Sequence, residues 1–173
     1  GFTLKSSMMS RALMSALKQL KIDQASFWLY EQNPQCIKRQ MLCLSSDHIF
    51  DHSEMTLCGK DYPNFFQALL DYRQIAADNA RTDPRTTEFL DAFLIPAKIY
   101  AMLSIPIRNK NEVIGLICIK HKGGIRQWTA DEIHFTNELS ALLKQAIEAE
   151  KKLQLQQPLY KRNARLRSIM AAD

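Results

Sequence analysis

No apolar run in this chain approaches the roughly 20 residues needed to span a bilayer, which excludes a transmembrane helix. The N-terminus lacks an apolar core followed by a small-residue cleavage site, so no signal peptide is expected. None of the four cysteines forms a C-x-x-C pair. Cys36, Cys43 and Cys118 lie in strand-like apolar runs and read as small hydrophobes, so a reducing cytoplasm is the expected location. Gly123 and Gly124 are an isolated turn pair, not a phosphate-binding loop. The stretch from Glu112 to Ile147 holds no obvious nucleophile, metal cage or phosphate loop. These absences point away from catalysis and toward a module that senses and transmits. Because the first residue is Gly1 and not Met, the chain is expected to be part of a longer protein.

What is present suits one domain with an appended segment: 173 residues, of which 46% are hydrophobic. The net charge is +5, and its distribution decides its meaning. Residues 1–150 hold 17 basic and 17 acidic side chains. Residues 151–173 carry Lys151, Lys152, Lys161, Arg162, Arg165 and Arg167 against Asp173 alone. A neutral body argues against a nucleic-acid-binding globule. The basic tail reads as a solvated helix face, with contact to anionic lipid or nucleic acid as the alternative.

Residues 2–20 place Leu4, Met8, Met9, Ala12, Leu13, Ala16, Leu17 and Leu20 on one helical stripe. Residues 25–31 and 36–44 read as strands joined by an Asn33-Pro34 turn, a hairpin signature. Residues 45–60 show no periodicity and are expected to be a loop. A short helix is predicted over 62–72 with Pro63 in its first turn, then a strand over 74–77. A further helix is predicted over 83–93, with Asp83 as N-cap and Pro84 at the first helical position. Strands are predicted over 99–107 and 112–121, turning at Asn109-Lys110-Asn111. The second has apolar residues on both faces and is expected to be central; Pro106 is placed near the end of the first, where a missing donor is tolerated. Thr129 and Glu132 form a capping box, starting a helix from Ala130 to about Gln157. Leu139, Leu142, Ala146, Ala149 and Leu153 step by threes and fours, the seam of a coiled coil and of a homodimer. Pro158 is expected to break or kink that helix. The order α-β-β-α-β-α-β-β-α fits an α+β fold with an antiparallel sheet.

Four segments, DYPNFFQAL (61–69), IAADNARTDPRTTEFLDAFLIP (75–96), AMLSIPIRNKNEVIGLICIKH (101–121) and RQWTADEIHFTNELSALL (126–143), together resemble bacterial GAF domains. The resemblance is to the subgroup that precedes diguanylate cyclase, histidine kinase or PAS modules. It implies a six-stranded antiparallel sheet flanked by helices, with long terminal helices that commonly dimerise. It divides the chain into an N-terminal helix at 1–21, the GAF domain at 22–150 and a basic helical linker at 151–173, which leads to a covalently linked signalling domain. It also implies a small-molecule pocket between the sheet and the 60–98 segment. Two departures stand out: Lys120 replaces an acidic residue that usually precedes the His, and Lys98 replaces a glycine.

For that pocket the candidates are Tyr62, Phe65, Phe66, Asp78, Arg85 and Met102, although core packing accounts for the three aromatics slightly better and Arg85 is expected to pair with a carboxylate. Arg126, Trp128, Thr129 and Glu132 are structural or relay candidates: Arg126 is expected to tie down the strand–helix connection, and Trp128 to pack beneath the helix start. The ligand is unknown. Residues 59–117 hold no cysteine to attach a bilin, and haem or metal is not expected. The set Cys43, His48, His52 and Cys58 has zinc-ligand residue types in no common zinc spacing. Two other functions stay open: a ligand-free dimerisation scaffold, and an enzyme like the methionine sulfoxide reductases that share this fold.

Overall fold

The computed structural model describes residues 2–45 and 49–171, without the side chains of 2–5, 49 and 157–162. Its elements in order are α1 (Phe2–Leu20), β1 (Gln24–Gln32), β2 (Gln35–Leu44), β3 (Ile49–Asp51), β4 (Thr56–Cys58), α2 (Pro63–Asp71), β5 (Ile75–Ala77), β6 (Ile99–Asn109), β7 (Glu112–Lys122) and α3 (Ala130–Ala171). Every strand pairing is antiparallel. The strand order is β3-β2-β1-β7-β6-β5, with β4 also on β2. The fold is therefore the expected α+β class, with β7, apolar on both faces from Val113 to Ile119, at the centre of the sheet.

The strand count differs from the six expected. β3 pairs with the 42–44 end of β2 and β4 with its 36–38 end, so seven strands fill six columns. Both lie inside the 45–60 segment predicted to be a loop. Three-residue strands are too short to show alternation, which is why periodicity misses them. Pro106 pairs with Leu116 inside β6, not near its end. β5 reaches only Met102, Leu103 and Ser104, so the missing donor falls where β6 has no second neighbour.

The sheet separates two cores because successive side chains alternate between its faces. On one face Phe27, Leu103, Ile105, Ile117 and Ile119 pack against α1 and α3, including Leu13, Leu17, Leu143 and Ile147. On the other, Trp28, Met102, Leu116 and Cys118 meet Phe65, Leu69, Phe89 and Leu94 from α2 and the segment after β5. The ladder shifts register at three places, between Phe27 and Trp28 against β2 and, in β6 against β7, between Ile99 and Ala101 and between Ile107 and Arg108.

The predicted helix over 83–93 is instead a 3-10 turn at Thr87–Phe89 followed by a π-helical turn at Leu90–Leu94. Asp83 spends its carboxylate on the Arg85 backbone N–H and guanidinium, so its predicted capping bond closes a local turn and starts no α-helix. The Glu88 carboxylate accepts from the N–H groups of Asn64 and Phe65, serving the N-terminus of α2 from 24 residues away. At the position where the family glycine is missing, Lys98 holds a left-handed φ of 58°.

Two further expectations are corrected. α3 runs as one continuous helix through residue 158 to Ala171, so the helix does not end where a break or kink is predicted. In the proposed coiled-coil seam, Leu139 and Ala146 are 5% and 2% exposed, buried within their own domain. Only Leu142, Ala149 and Leu153 of that set face outward.

Candidate functional site

β1, β2, β6 and β7 form the floor of a cavity of about 110 Å³; β4, α2 and the 89–97 segment form its walls and roof. Strand alternation supplies the floor: Gln24, Ser26 and Trp28 from β1, Met102 from β6, and Cys118 and Lys120 from β7. Cross-strand register sets these in rows, Gln24 and Met102 beside Lys120, and Ser26 and Ser104 beside Cys118. Phe65, Phe89, Phe93 and Leu94 close the other side. Phe65 and Phe89 meet edge to face with centroids 4.8 Å apart, which holds both rings in place.

The polar groups are few and well defined. Trp28 Nε1 donates to Ser26 Oγ at 2.8 Å. Ser104 Oγ lies 3.3 Å from Cys118 Sγ, both buried. Burial pushes the Cys118 thiol above its ordinary value, opposed by the neighbouring Lys120 charge and the Ser104 contact. Lys120 is held below its ordinary value, first by burial and then by the Arg39 charge, which outweigh Cys118. Its ammonium stands 5.9 Å from the Phe93 ring centre.

Arg39 enters from β2. Its side chain is 10% exposed. Nη2 donates to Ser53 O and Ser53 Oγ at 3.3 and 3.0 Å, and Asp51 Oδ2 lies 3.8 Å away. Arg39 Nε is buried and has no hydrogen-bond acceptor among the described residues. Among the described residues no Asp or Glu lines the cavity.

Of the six predicted pocket residues, Phe65 and Met102 line this cavity. Tyr62 stacks on Phe89 at 4.7 Å from outside it. Phe66 is buried in the core beside Tyr30. Arg85 is bound to Asp83 at 2.8 Å and lies 5.0 Å from the Tyr72 ring, remote from the cavity. Asp78 is exposed and accepts from the Trp128 backbone N–H. The structure therefore does not bring Tyr62, Phe66, Asp78 or Arg85 to the cavity surface. Sequence reasoning missed Trp28, Arg39 and Cys118 as pocket residues, and marked Lys120 only as a departure from the family. The available signal was a lysine ending the apolar run of β7 in register with the pocket face.

The structural group does converge. Thr129 N–H donates to Glu132 Oε1 and Glu132 N–H to Thr129 Oγ1, closing the capping box. Arg126 donates to Glu132, to Leu20 O and to Lys21 O, and stacks 4.9 Å from the Trp128 ring. Its backbone N–H donates to Asp78 O, and Trp128 Nε1 donates to Ala77 O. One junction thus joins the end of α1, the end of β5 and the start of α3.

Cys36 and Cys58 form a disulfide between β2 and β4. Cys36 is expected to be a small hydrophobe and is instead bridged, so the compartment inferred from cysteine usage loses that support. The bond also takes Cys58 from the zinc-like set, whose His48 lies outside the described residues. No group of three or more His, Cys, Asp or Glu that could hold a metal occurs among the described residues. No described helix is long and apolar enough to cross a membrane.

A sequence model of the GAF domain family matches residues 7–147. No curated protein matches the chain. Among solved structures, the blue-light-absorbing PixJ GAF domain of Thermosynechococcus elongatus is similar at 15% identity and a TM-score of 0.66, covering 88% of this chain and 92% of that one. A domain from Sinorhizobium meliloti, of a protein described as a two-component sensor histidine kinase, has 14% identity and a TM-score of 0.64, with 88% and 97% covered. The GAF domain of an Acinetobacter phosphoenolpyruvate-protein phosphotransferase has 16% identity and a TM-score of 0.63, with 81% and 80% covered. At these identities the likeness is one of fold.

Proposed function

The chain belongs to the GAF domain family, and on that premise we propose that it is the sensory module of a bacterial signalling protein. It takes a small molecule into the cavity above Met102 and Lys120 and relays occupancy to a covalently linked output domain of the diguanylate cyclase or histidine kinase type. The observation that carries this reading is the cavity of about 110 Å³, which the surrounding aromatics leave unfilled. A pure scaffold has no use for that space. An enzyme of the sulfoxide-reducing kind needs a thiolate there, whereas burial holds Cys118 in its neutral form.

The relay follows from connectivity. Ligand contact with Phe89, Phe93 and Leu94 favours one position of the segment after β5. That segment begins at Asp78, whose carbonyl and carboxylate are bound by Arg126 and Trp128 at the start of α3. The ligand thereby shifts the population of α3 positions. The chain acts as a homodimer through the exposed Leu142, Ala149 and Leu153, in the cytoplasm, where the Cys36–Cys58 bond must resist reduction.

The test is a small-molecule screen by thermal shift, followed by amide hydrogen exchange with each hit. Protection is expected in residues 79–98 and also in the first turns of α3. Hits that protect the cavity and leave α3 unchanged would sink the relay. The absence of any hit would sink the ligand.

A further inference from the structure

The ligand cavity carries two cationic side chains, and among the described residues only Arg39 has an anion beside it, Asp51 at its far end. Lys120 reaches it from the central strand and Arg39 from β2. Among the described residues the Lys120 ammonium makes no hydrogen bond or ion pair, and its aromatic contact is the 5.9 Å approach to Phe93. Arg39 is nine-tenths buried. Asp51 and Ser53 occupy its far end, yet its Nε is left without an acceptor. Burying a charge without a partner is costly, and buried N–H groups rarely go unpaired in folded proteins. The remaining lining is apolar and aromatic, from Trp28, Phe65, Phe89 and Phe93.

Building on the sensory reading, we propose that the cavity binds a small organic monocarboxylate, its carboxylate held between the Lys120 ammonium and Arg39 Nε–H and its apolar body enclosed by the four aromatic rings. Size restricts the body to a short branched chain or, with part of it in the open side of the cavity, a single ring: a closed dry cavity of about 150 Å³ holds benzene, and this partly open one is about 110 Å³. A nucleotide or tetrapyrrole is too large for it as it stands. Gln24 and Ser26 line the floor beside the carboxylate and supply further polar contacts. Neutral molecules of the same shape leave the Lys120 ammonium and Arg39 Nε–H unanswered, and cationic ones are repelled. Specificity thus comes from the penalty on the wrong charge as much as from contact with the right one.

The test is calorimetric titration of the whole chain with benzoate, 3-methylbutanoate, benzyl alcohol, benzylamine and inorganic phosphate, at pH 7 and fixed salt. Trp28 fluorescence in a Trp128→Phe background reports where each probe sits. Expected are saturable binding of a carboxylate with a change in Trp28 emission, at least tenfold weaker binding of benzyl alcohol, and no binding of benzylamine. Lys120→Met should lower carboxylate affinity at least tenfold (about 1.4 kcal/mol) and leave benzyl alcohol within about threefold. Lys120→Arg should recover part of the loss. Equal affinity for benzoate and benzyl alcohol would overturn the charge assignment and leave the cavity reading standing. Phosphate binding as tightly as the carboxylates would overturn the apolar half. No response of Trp28 to any probe would overturn both this proposal and the sensory cavity. The benzoate–benzyl alcohol comparison uses the native chain, so it decides the matter even if a variant fails to fold.

Discussion

Replacing Arg126 by Ala tests the junction that holds the terminal helices to the sheet. The guanidinium is 18% exposed on its side chain and has three separate attachments. The bond to Leu20 O at 2.5 Å caps the end of α1 and is charge-assisted, contributing about 1.5 kcal/mol. The pair with Glu132 is partly screened and contributes about 1 kcal/mol. Stacking on Trp128 adds about 0.5 kcal/mol. Together these predict a loss of about 3 kcal/mol, subject to the non-additivity of groups that share a partner. With a urea slope of about 2 kcal/mol/M, the unfolding midpoint should fall by about 1.5 M. Arg126→Lys keeps the charge but loses the planar fork, and should recover less than half. A double-mutant cycle with Glu132→Gln should return a coupling near 1 kcal/mol at pH 7. Burial alone would raise the Glu132 carboxyl, but hydrogen bonds from Thr129 and Arg126 outweigh it and hold it below the ordinary carboxylate range. A depressed folded value means the contribution is complete above the unfolded value, about 4.3, and disappears as pH falls through the folded one. The coupling should therefore shrink below about pH 4. A midpoint shift under about 0.3 M for Arg126→Ala, or a coupling that grows on acidification, would refute this reasoning.

Other sites give sharper single answers. A Cβ at Gly115 would lie 2.7 Å from the Trp28 carbonyl oxygen and 3.1 Å from Ile147 Cδ1, so Gly115→Ala should cost about 1–3 kcal/mol in denaturant unfolding; an unchanged midpoint would show that β7 can yield there. Leu143→Ala removes a fully buried side chain and should cost about 3–5 kcal/mol, whereas Leu142, 45% exposed, should cost less than about 1 kcal/mol as Ala. Leu142→Ala and Leu153→Ala should slow disulfide crosslinking of an Ala149→Cys chain, and a rate that does not change would remove those residues from the dimer contact. Replacing Cys36 and Cys58 together by Ser opens a bridge across a 22-residue separation and should cost about 3 kcal/mol, with faster hydrogen exchange in β4; a loss under 1 kcal/mol would mean the bridge adds little.

The sequence made some features readable for clear reasons. β6, β7 and the capping box of α3 carry their signals locally, in alternation and in the Thr129–Glu132 spacing, and the structure matches them. The 83–93 segment misled because Asp83 and Pro84 are good helix starters, and nothing local says that Asp83 will be taken by Arg85. The coiled-coil steps of α3 were real, but a helix cannot announce which partner its stripe meets. Leu139 and Ala146 are buried within their own domain, so two of the five seam residues belong to the core. The cavity was the least legible feature. Its walls come from β1, β2, β4, β6, β7, α2 and the 89–97 segment, and only the register of β1 on β7 sets Gln24 beside Lys120 and Ser26 beside Cys118.

On the proposed reading, the sheet itself is a poor route between cavity and helices. Residues on its two faces share a hydrogen-bonded backbone that resists displacement, and both cores are closely packed. The Arg126 junction offers a softer route because it is built from side-chain bonds across chain segments. The segment after β5 adjoins the cavity at Phe89, Phe93 and Leu94 and meets the junction at Asp78. From there Arg126 touches both terminal helices at once, α1 through Leu20 O and α3 through Glu132. A ligand needs a differential affinity of only about 1.4 kcal/mol to change the ratio of two junction states tenfold. That is comparable to one of the hydrogen bonds at stake. An exposed Asp78 with two junction bonds is thus the position where a mild change should separate binding from relay. Asp78→Asn keeps an acceptor and should leave cavity affinity unchanged while reducing the protection that ligand confers on the first turns of α3.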